Sequence, residues 1–199
     1  MGDLSYSLRG ARAFLDAYRA AHPKDTVDTL DVFSDAVPPF TFLEAAAKYA
    51  VLHGKQPSGE EARAWRTVEA VIERFKAADR YLVSSPMWNF GIPYRLKQFF
   101  DVIVQPTYTF SYSPETGYTG LVTGKRAVLV LARGGAYGPG SGGEALDHQR
   151  PYLETILSFM GVTDVQAVVI EPTLMGGPDT AADAAEAACE EAREIARAL

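Results

Sequence analysis

The run Arg126-Ala127-Val128-Leu129-Val130-Leu131-Ala132, followed at once by Arg133-Gly134-Gly135, decides the fold. After Arg126 it holds six consecutive apolar residues. That is short for a helix, and it lacks the polar alternation of a strand with one wet face. A Val- and Leu-rich run of this kind reads as a strand covered on both faces, as in a parallel sheet.

A second such run is Val165–Ile170, and two earlier segments, Val27–Val32 and Arg80–Ser84, also read as buried strands. Helical patterns alternate with them. Leu8–Ala21 places Leu8, Ala11, Leu15 and Tyr18 on one face. Glu60–Ala78 follows Ser58, with Glu61 three residues on, the spacing of a capping box. Arg95–Val104, Pro151–Met160 and Asp179–Ala198 complete the set, and Thr41–Leu52 is expected as an extra helix. The alternation implies an α/β fold, a parallel sheet with crossover helices. No internal repeat or linker interrupts it, so one domain is expected over residues 1–199.

Composition narrows the classes. Apolar residues make up 47% of the chain and charged residues 22%, a globular balance. The net charge of −6, with no run of Lys and Arg, argues against nucleic acid as a partner. One cysteine, Cys189, excludes a disulfide within the chain and suits a reducing cytoplasm. No signal-peptide core is present, and no apolar run approaches the ~20 residues that span a bilayer, so no membrane partner is expected.

Three stretches carry candidate chemistry. Leu4-Ser5-Tyr6-Ser7-Leu8 opens the first helix. Hydroxyls and free N–H groups there make an anion site, although a serine N-cap accounts for the same residues. After the second strand comes Ser85-Pro86-Met87-Trp88-Asn89-Phe90-Gly91-Ile92-Pro93. Trp88 and Phe90 offer flat apolar surface, and Asn89 can donate and accept hydrogen bonds at a ring edge. A core-capping turn with aromatic fill is the alternative. After the third strand comes Arg133-Gly134-Gly135-Ala136-Tyr137-Gly138-Pro139-Gly140-Ser141-Gly142-Gly143. Gly134 and Gly135 sit where missing side chains let backbone N–H groups approach a ligand. The later Gly138, Gly140 and Gly143 satisfy G-x-G-x-x-G, but six residues past the strand and across Pro139 they read as a mobile loop. Ligands of open α/β sheets bind outside the carboxyl ends of the strands, where the last two loops lie.

Other chemistries fall away. His22, His53 and His148 lack paired ligand spacing, so no metal site is expected. There is no G-x-S-x-G elbow and no Walker A sequence. Thr107-Tyr108-Thr109-Phe110-Ser111-Tyr112 reads as the wall of a small-molecule pocket or a subunit contact.

From Pro86 to Pro93, and on through Leu96-Lys97 and Phe100-Asp101, the chain resembles the FMN-dependent NADH-azoreductases and quinone reductases of the flavodoxin-like class. The resemblance continues in order through Phe110-Ser111-Tyr112, Gly120–Lys125, Arg133-Gly134-Gly135, Tyr152-Leu153 and Gly161–Val165. It implies an open parallel sheet with helices on both faces and a bound FMN. Ser5, Tyr6 and Ser7 match the family's phosphate segment. Met87, Trp88, Asn89 and Phe90 match its ring-contacting loop. Ala132, Arg133, Gly134 and Gly135 match the loop at the ring's pyrimidine edge, with Ala132 where the family often has serine. Tyr112 and Phe159 match aromatic positions of the substrate pocket. The family is homodimeric, with the flavin near the interface.

The implied reaction is a two-electron, ping-pong relay in which NADH or NADPH reduces FMN and a quinone or azo compound then takes the electrons. The flavin carries the chemistry, so no side chain is nominated as general acid or base. A flavodoxin-type FMN electron carrier is the alternative. One departure bears on the fold. The family reaches its serine segment after a first strand and a Ser-Pro turn, whereas this chain begins Met1-Gly2-Asp3-Leu4-Ser5. That interior strand is therefore expected to be missing, through a start placed too far downstream or a true truncation, and an inactive truncated relic is a third reading.

Overall fold

The computed structural model describes residues 5–34 and 37–199. Met1-Gly2-Asp3-Leu4, on which the expected missing strand and the start of the serine segment bear, lie outside the described residues. The elements in chain order are α1 (Tyr6–Ala21), α2 (Phe42–Leu52), α3 (Gly59–Ala77), β1 (Arg80–Pro86), α4 (Tyr94–Ile103), β2 (Phe110–Ser113), β3 (Gly117–Gly120), β4 (Arg126–Ala132), α5 (Arg150–Met160), β5 (Asp164–Ile170) and α6 (Gly177–Ala198).

Among the described residues the main sheet holds three parallel strands in the order β1-β4-β5. The run that decided the fold is its centre: every residue of β4 after Arg126 is buried. Its side chains divide by the two-residue period of a strand. Ala127, Leu129 and Leu131 face a core built with Trp65, Val68 and Ile72 of α3, Phe100 of α4, and Leu153 and Leu157 of α5. Val128, Val130 and Ala132 face Phe14 and Tyr18 of α1 and the alanines Ala185, Ala188 and Ala192 of α6. Gly10 lets α1 approach closely, because a Cβ there would lie 2.8 Å from Val130 Cγ1.

The expected strand Val27–Val32 is not a strand. β1 is the edge of the described sheet, and this segment does not pair with it. Arginines bond two of its carbonyls instead: Arg74 Nη2 donates to Thr29 O at 2.9 Å and Arg95 Nε to Val32 O at 2.8 Å. Leu30 and Val32 still pack against the core. The buried face of α1 is also rotated from the expected one. Ser7, Gly10, Ala11, Phe14 and Tyr18 are buried, whereas Leu8 is exposed.

The capping box lies on a different helix from the one expected. Ser58 makes no side-chain cap bond, and Gly59 enters α3 with φ 55°, away from the helical region such a box needs. At α2 the Glu44 carboxylate accepts from both the N–H (2.7 Å) and the hydroxyl (2.6 Å) of Thr41. Burial by itself pushes the Glu44 carboxyl up, but these hydrogen bonds outweigh it and hold its pKa below the usual range. A depressed folded pKa stabilises above the ordinary Glu value, and that contribution is lost as pH falls through it. Glu44→Gln is therefore expected to cost about 1 kcal/mol at neutral pH, with the gap in melting temperature closing below about pH 4. A gap constant with pH would show that the charge is not what stabilises the cap.

The sequence reading contained no β2 or β3. These short strands pair antiparallel, Phe110 with Gly120 and Ser113 with Gly117. The base of the hairpin docks on the C-terminal end of α5, where Val122 N donates to Met160 O at 2.8 Å.

Candidate functional site

Chain direction defines two ends of the sheet. Residues Pro86, Ala132 and Ile170 are in register at the carboxyl end. The loops that leave them, together with the N-terminal ends of α1 and α5, form the candidate cofactor edge.

The loop after β1 is a tight turn. Met87 N donates to Ala132 O at 2.8 Å, extending the β1–β4 ladder by one bond. Trp88 and Gly91 then exchange N–H···O bonds of 2.9 and 3.0 Å, leaving Asn89 and Phe90 at the corner. Their φ angles are 47° and 70°, the left-handed pair of a type I′ turn. Asn tolerates that region, but Phe does so at a cost of about 1–2 kcal/mol. Strain of this sort clusters at ligand sites. The turn presents Trp88, Asn89 and Phe90 outward; all three are exposed, and the Asn89 amide makes no hydrogen bond among the described residues. The Phe90 carbonyl is anchored by His148 N at 2.9 Å.

The loop after β4 supplies donors. The N–H groups of Gly134, Gly135 and Ala136 bond to nothing among the described residues. A Cβ on Gly134 would lie 2.9 Å from Leu174 Cδ1, and one on Gly135 would lie 3.1 Å from both Met175 Sδ and the Tyr137 hydroxyl. Both glycines thus admit neighbouring side chains as well as baring their own N–H groups. Tyr137 bridges the two loops, its ring 6.2 Å from that of Phe90 and nearly perpendicular to it.

Arg133, expected in the loop at the ring's pyrimidine edge, keeps its side chain away from that loop's exposed face. Its side chain is 2% exposed and faces inward, Nη2 2.8 Å from Asp147 Oδ2 and Nη1 3.4 Å from Glu171 Oε2. Its N–H donates to Ile170 O and its carbonyl accepts from Thr173; Nη2 pairs with Asp147 by charge without hydrogen-bond geometry, and its burial turns it away from the exposed face of the loop. The carbonyl of Ala132 is likewise taken, by Met87. At the third segment Ser5 caps α1, its hydroxyl accepting from Leu8 N at 3.4 Å and lying 3.2 Å from Ser7 Oγ. Ser7 is buried, and Tyr6 packs against the α1–α6 core.

Tyr112 and Phe159 do come together, in an aromatic patch with Phe110 and Tyr118. Phe159 lies 4.8 Å from Phe110 and 5.4 Å from Tyr118, and Tyr118 lies 5.0 Å from Tyr112. The patch is not at the cofactor edge of its own chain. Helix α5 starts at that edge and runs away from it, so Phe159, nine residues past Arg150, is displaced by about 13 Å along the axis at 1.5 Å per residue.

Sequence reasoning passed over Tyr137, Asp147, Gln149 and Glu171. Glu171, directly after the apolar end of β5, carried a signal: a carboxylate following a strand's buried end calls for a cation, and Arg133 directly follows the neighbouring strand. Among the described residues no group of three His, Cys, Asp or Glu could hold a metal ion, and no helix is long and apolar enough to cross a membrane.

Comparison with known proteins bears on the same geometry. A family described as having a flavodoxin-like fold matches residues 2–196. A protein of Nitratidesulfovibrio vulgaris (strain DP4) named FMN-dependent NADH:quinone oxidoreductase is 49% identical over 195 residues, covering 98% of this chain and 93% of that protein. One of the same name from Desulfotalea psychrophila is 45% identical over 170 residues, 85% of this chain and 80% of that one. Among solved structures, an azoreductase from Bacillus anthracis str. Sterne superposes with a TM-score of 0.90 at 31% identity, covering 100% of this chain and 94% of that one. An FMN-dependent NADH-azoreductase from Bacillus anthracis str. Ames Ancestor in complex with FMN superposes at 0.84 with 27% identity, covering 96% and 92%.

Proposed function

Because the chain belongs to the flavodoxin-like family that includes the FMN-dependent NADH:quinone oxidoreductases, we propose that it is itself an FMN-dependent NADH:quinone oxidoreductase, also able to reduce azo compounds, acting as one domain over residues 1–199. The observation that carries the reading is the pairing of two loops at one sheet edge. One offers three unbonded N–H groups at Gly134–Ala136, the other a strained turn that presents Trp88, Asn89 and Phe90.

These residues fit a flavin. A flat ring with a polar pyrimidine edge matches exposed aromatic surface beside a row of donors. Met87, Trp88, Asn89 and Phe90 would hold the ring, and the backbone of Gly134 and Gly135 its polar edge. Ser5, at the positive end of α1, would meet the phosphate, with the buried Ser7 hydroxyl 3.2 Å behind its own. Ala132 and Arg133 support the loop from beneath, and Tyr6 anchors the start of α1 to the core. The chemistry FMN supplies when bound is a two-electron relay, accepting hydride from NADH or NADPH and passing electrons to a quinone or azo acceptor. The protein's part is to bind, orient and keep water out. Titration of the apoprotein with FMN tests the cradle; no saturable binding would remove it.

The exposed rings of Tyr112 and Tyr118 stand at the far end of α5 from this cradle. That placement supports a homodimer in which each copy lends its aromatic patch to a pocket shared with the other. Tyr112→Ala and Phe159→Ala are then expected to change the ratio of kcat/KM between a quinone and an azo dye by about three- to tenfold, the worth of an aromatic contact, with FMN affinity nearly unchanged. Loss of FMN with an unchanged ratio would assign those rings to the cofactor instead. The buried Cys189 thiol suits the reducing cytoplasm.

A further inference from the structure

We propose that Arg133 is the positioning residue of the cofactor edge, a buried guanidinium that touches no ligand and locks the loops that do; the inference rests on the FMN reading above. Two hydrogen bonds, to Glu171 and Gln149, and one ion pair, to Asp147, leave it. Through Glu171 it reaches its own loop, because that carboxylate accepts from Tyr137 N and Gly138 N, both at 2.9 Å. Gly138 has no side chain where a Cβ would lie 2.9 Å from Glu171 Oε1. Through Gln149, whose Oε1 accepts from Arg133 Nε at 3.1 Å, it reaches Ser85 O, two residues before Met87, at 3.2 Å. Through Asp147 it reaches the start of α5, where Oδ1 accepts from Gln149 N at 3.0 Å and Arg150 N at 3.1 Å. His148, between Asp147 and Gln149, holds the Phe90 carbonyl of the strained turn.

The backbone closes the lock from the other side. Thr173 donates to Arg133 O through both its N–H and its hydroxyl, and Leu174 N and Met175 N both donate to Gly134 O at 3.0 Å. The loops after β1, β4 and β5 are therefore tied to one side chain. With the Arg133 and Gly134 carbonyls and the Tyr137 and Gly138 amides engaged, the loop is held on both sides of the unbonded N–H groups of Gly134–Ala136. Arg suits this place and Lys does not, because only a planar fork reaches Asp147, Glu171 and Gln149 at once. An unfixed donor row would lose conformational freedom when a ligand binds, and that ordering weakens affinity.

The test compares the full-length protein with Arg133→Met, Arg133→Lys, Gln149→Met and Glu171→Gln. Arg126→Met, which breaks the exposed Arg126–Asp164 pair at the opposite end of β4, is the control. Two readouts are taken: the Kd for FMN of the apoprotein, and amide hydrogen exchange at Tyr137, Gly138 and Thr173–Met175 against that of β4 and β5. Arg133→Met is expected to raise the FMN Kd about ten- to hundredfold, the scale on which a small misplacement acts. Exchange should quicken at those five amides while the strands stay protected. Arg133→Lys should keep part of the affinity, and the control all of it. If Arg133→Met fails to fold, Gln149→Met and Glu171→Gln carry the test, each cutting one of these links and each expected to raise the Kd about fivefold or more. Unchanged Kd and unchanged loop exchange would overturn the proposal, as would loosening spread equally over the strands. Failure of the wild-type protein to bind FMN would refute the functional reading instead, and the exchange pattern would still report whether Arg133 holds the loops.

Discussion

Gly120→Ala is expected to destabilise the protein by about 3 kcal/mol, the upper range for forcing an atom into a packed interior. A Cβ on Gly120 would fall 2.3 Å from Gly161 N and 2.5 Å from Gly161 Cα. Those are backbone atoms with nowhere to move. Gly161 ends α5 at φ 105° and is held by its bond to Ser158 O, so the hairpin must retreat instead. Retreat would take Phe110 and Tyr118 off Phe159 and dissolve the aromatic patch. Gly117→Ala, at φ 68° with nothing within 4 Å, is the matched control and carries only the left-handed cost of about 1 kcal/mol. Urea denaturation of both variants measures the difference. Equal stabilities would show that the hairpin base is not clamped on α5.

Asn89→Ala is expected to weaken FMN binding about ten- to hundredfold, since a ring edge removed from water and left without its partner loses about 1–3 kcal/mol. The Asn89 amide serves no internal contact, because it is exposed and among the described residues bonds to nothing. Alanine also disfavours φ 47°, so Asn89→Gly is measured beside it, because glycine keeps the turn and lacks only the amide. Equal loss in both variants assigns the effect to the amide. Recovery in the glycine variant assigns it to the turn. Wild-type affinity in both would remove Asn89 from the site.

The central strand was legible in the sequence because burial on both faces leaves no room for polar residues, and β4 matches the expected Arg126–Ala132 end to end. The segment Val27–Val32 misled because its apolar residues report burial, which Leu30 and Val32 have, but a strand also needs a neighbour, and pairing is not written in one segment. The hairpin was missed because four-residue strands carry too little pattern, and what fixes this one is the contact of Gly120 with Gly161, distant in sequence. In the site, Asn89 and Phe90 were marked by residue type, whereas their left-handed backbone is visible only in the fold. Arg133 was marked by the resemblance alone, and only the fold shows that its guanidinium meets Asp147 and Glu171.

The central claim is that this edge holds FMN and passes two electrons from NADH to an acceptor. The direct measurement is anaerobic and in two halves, on the FMN-loaded protein. NADH added without acceptor should bleach the flavin absorbance, and a quinone added after removal of the nicotinamide should restore it, with steady-state plots of parallel lines. Retained colour with NADH, or bleaching that a quinone cannot reverse, would contradict the account. The second result would leave an electron carrier in place of a quinone reductase.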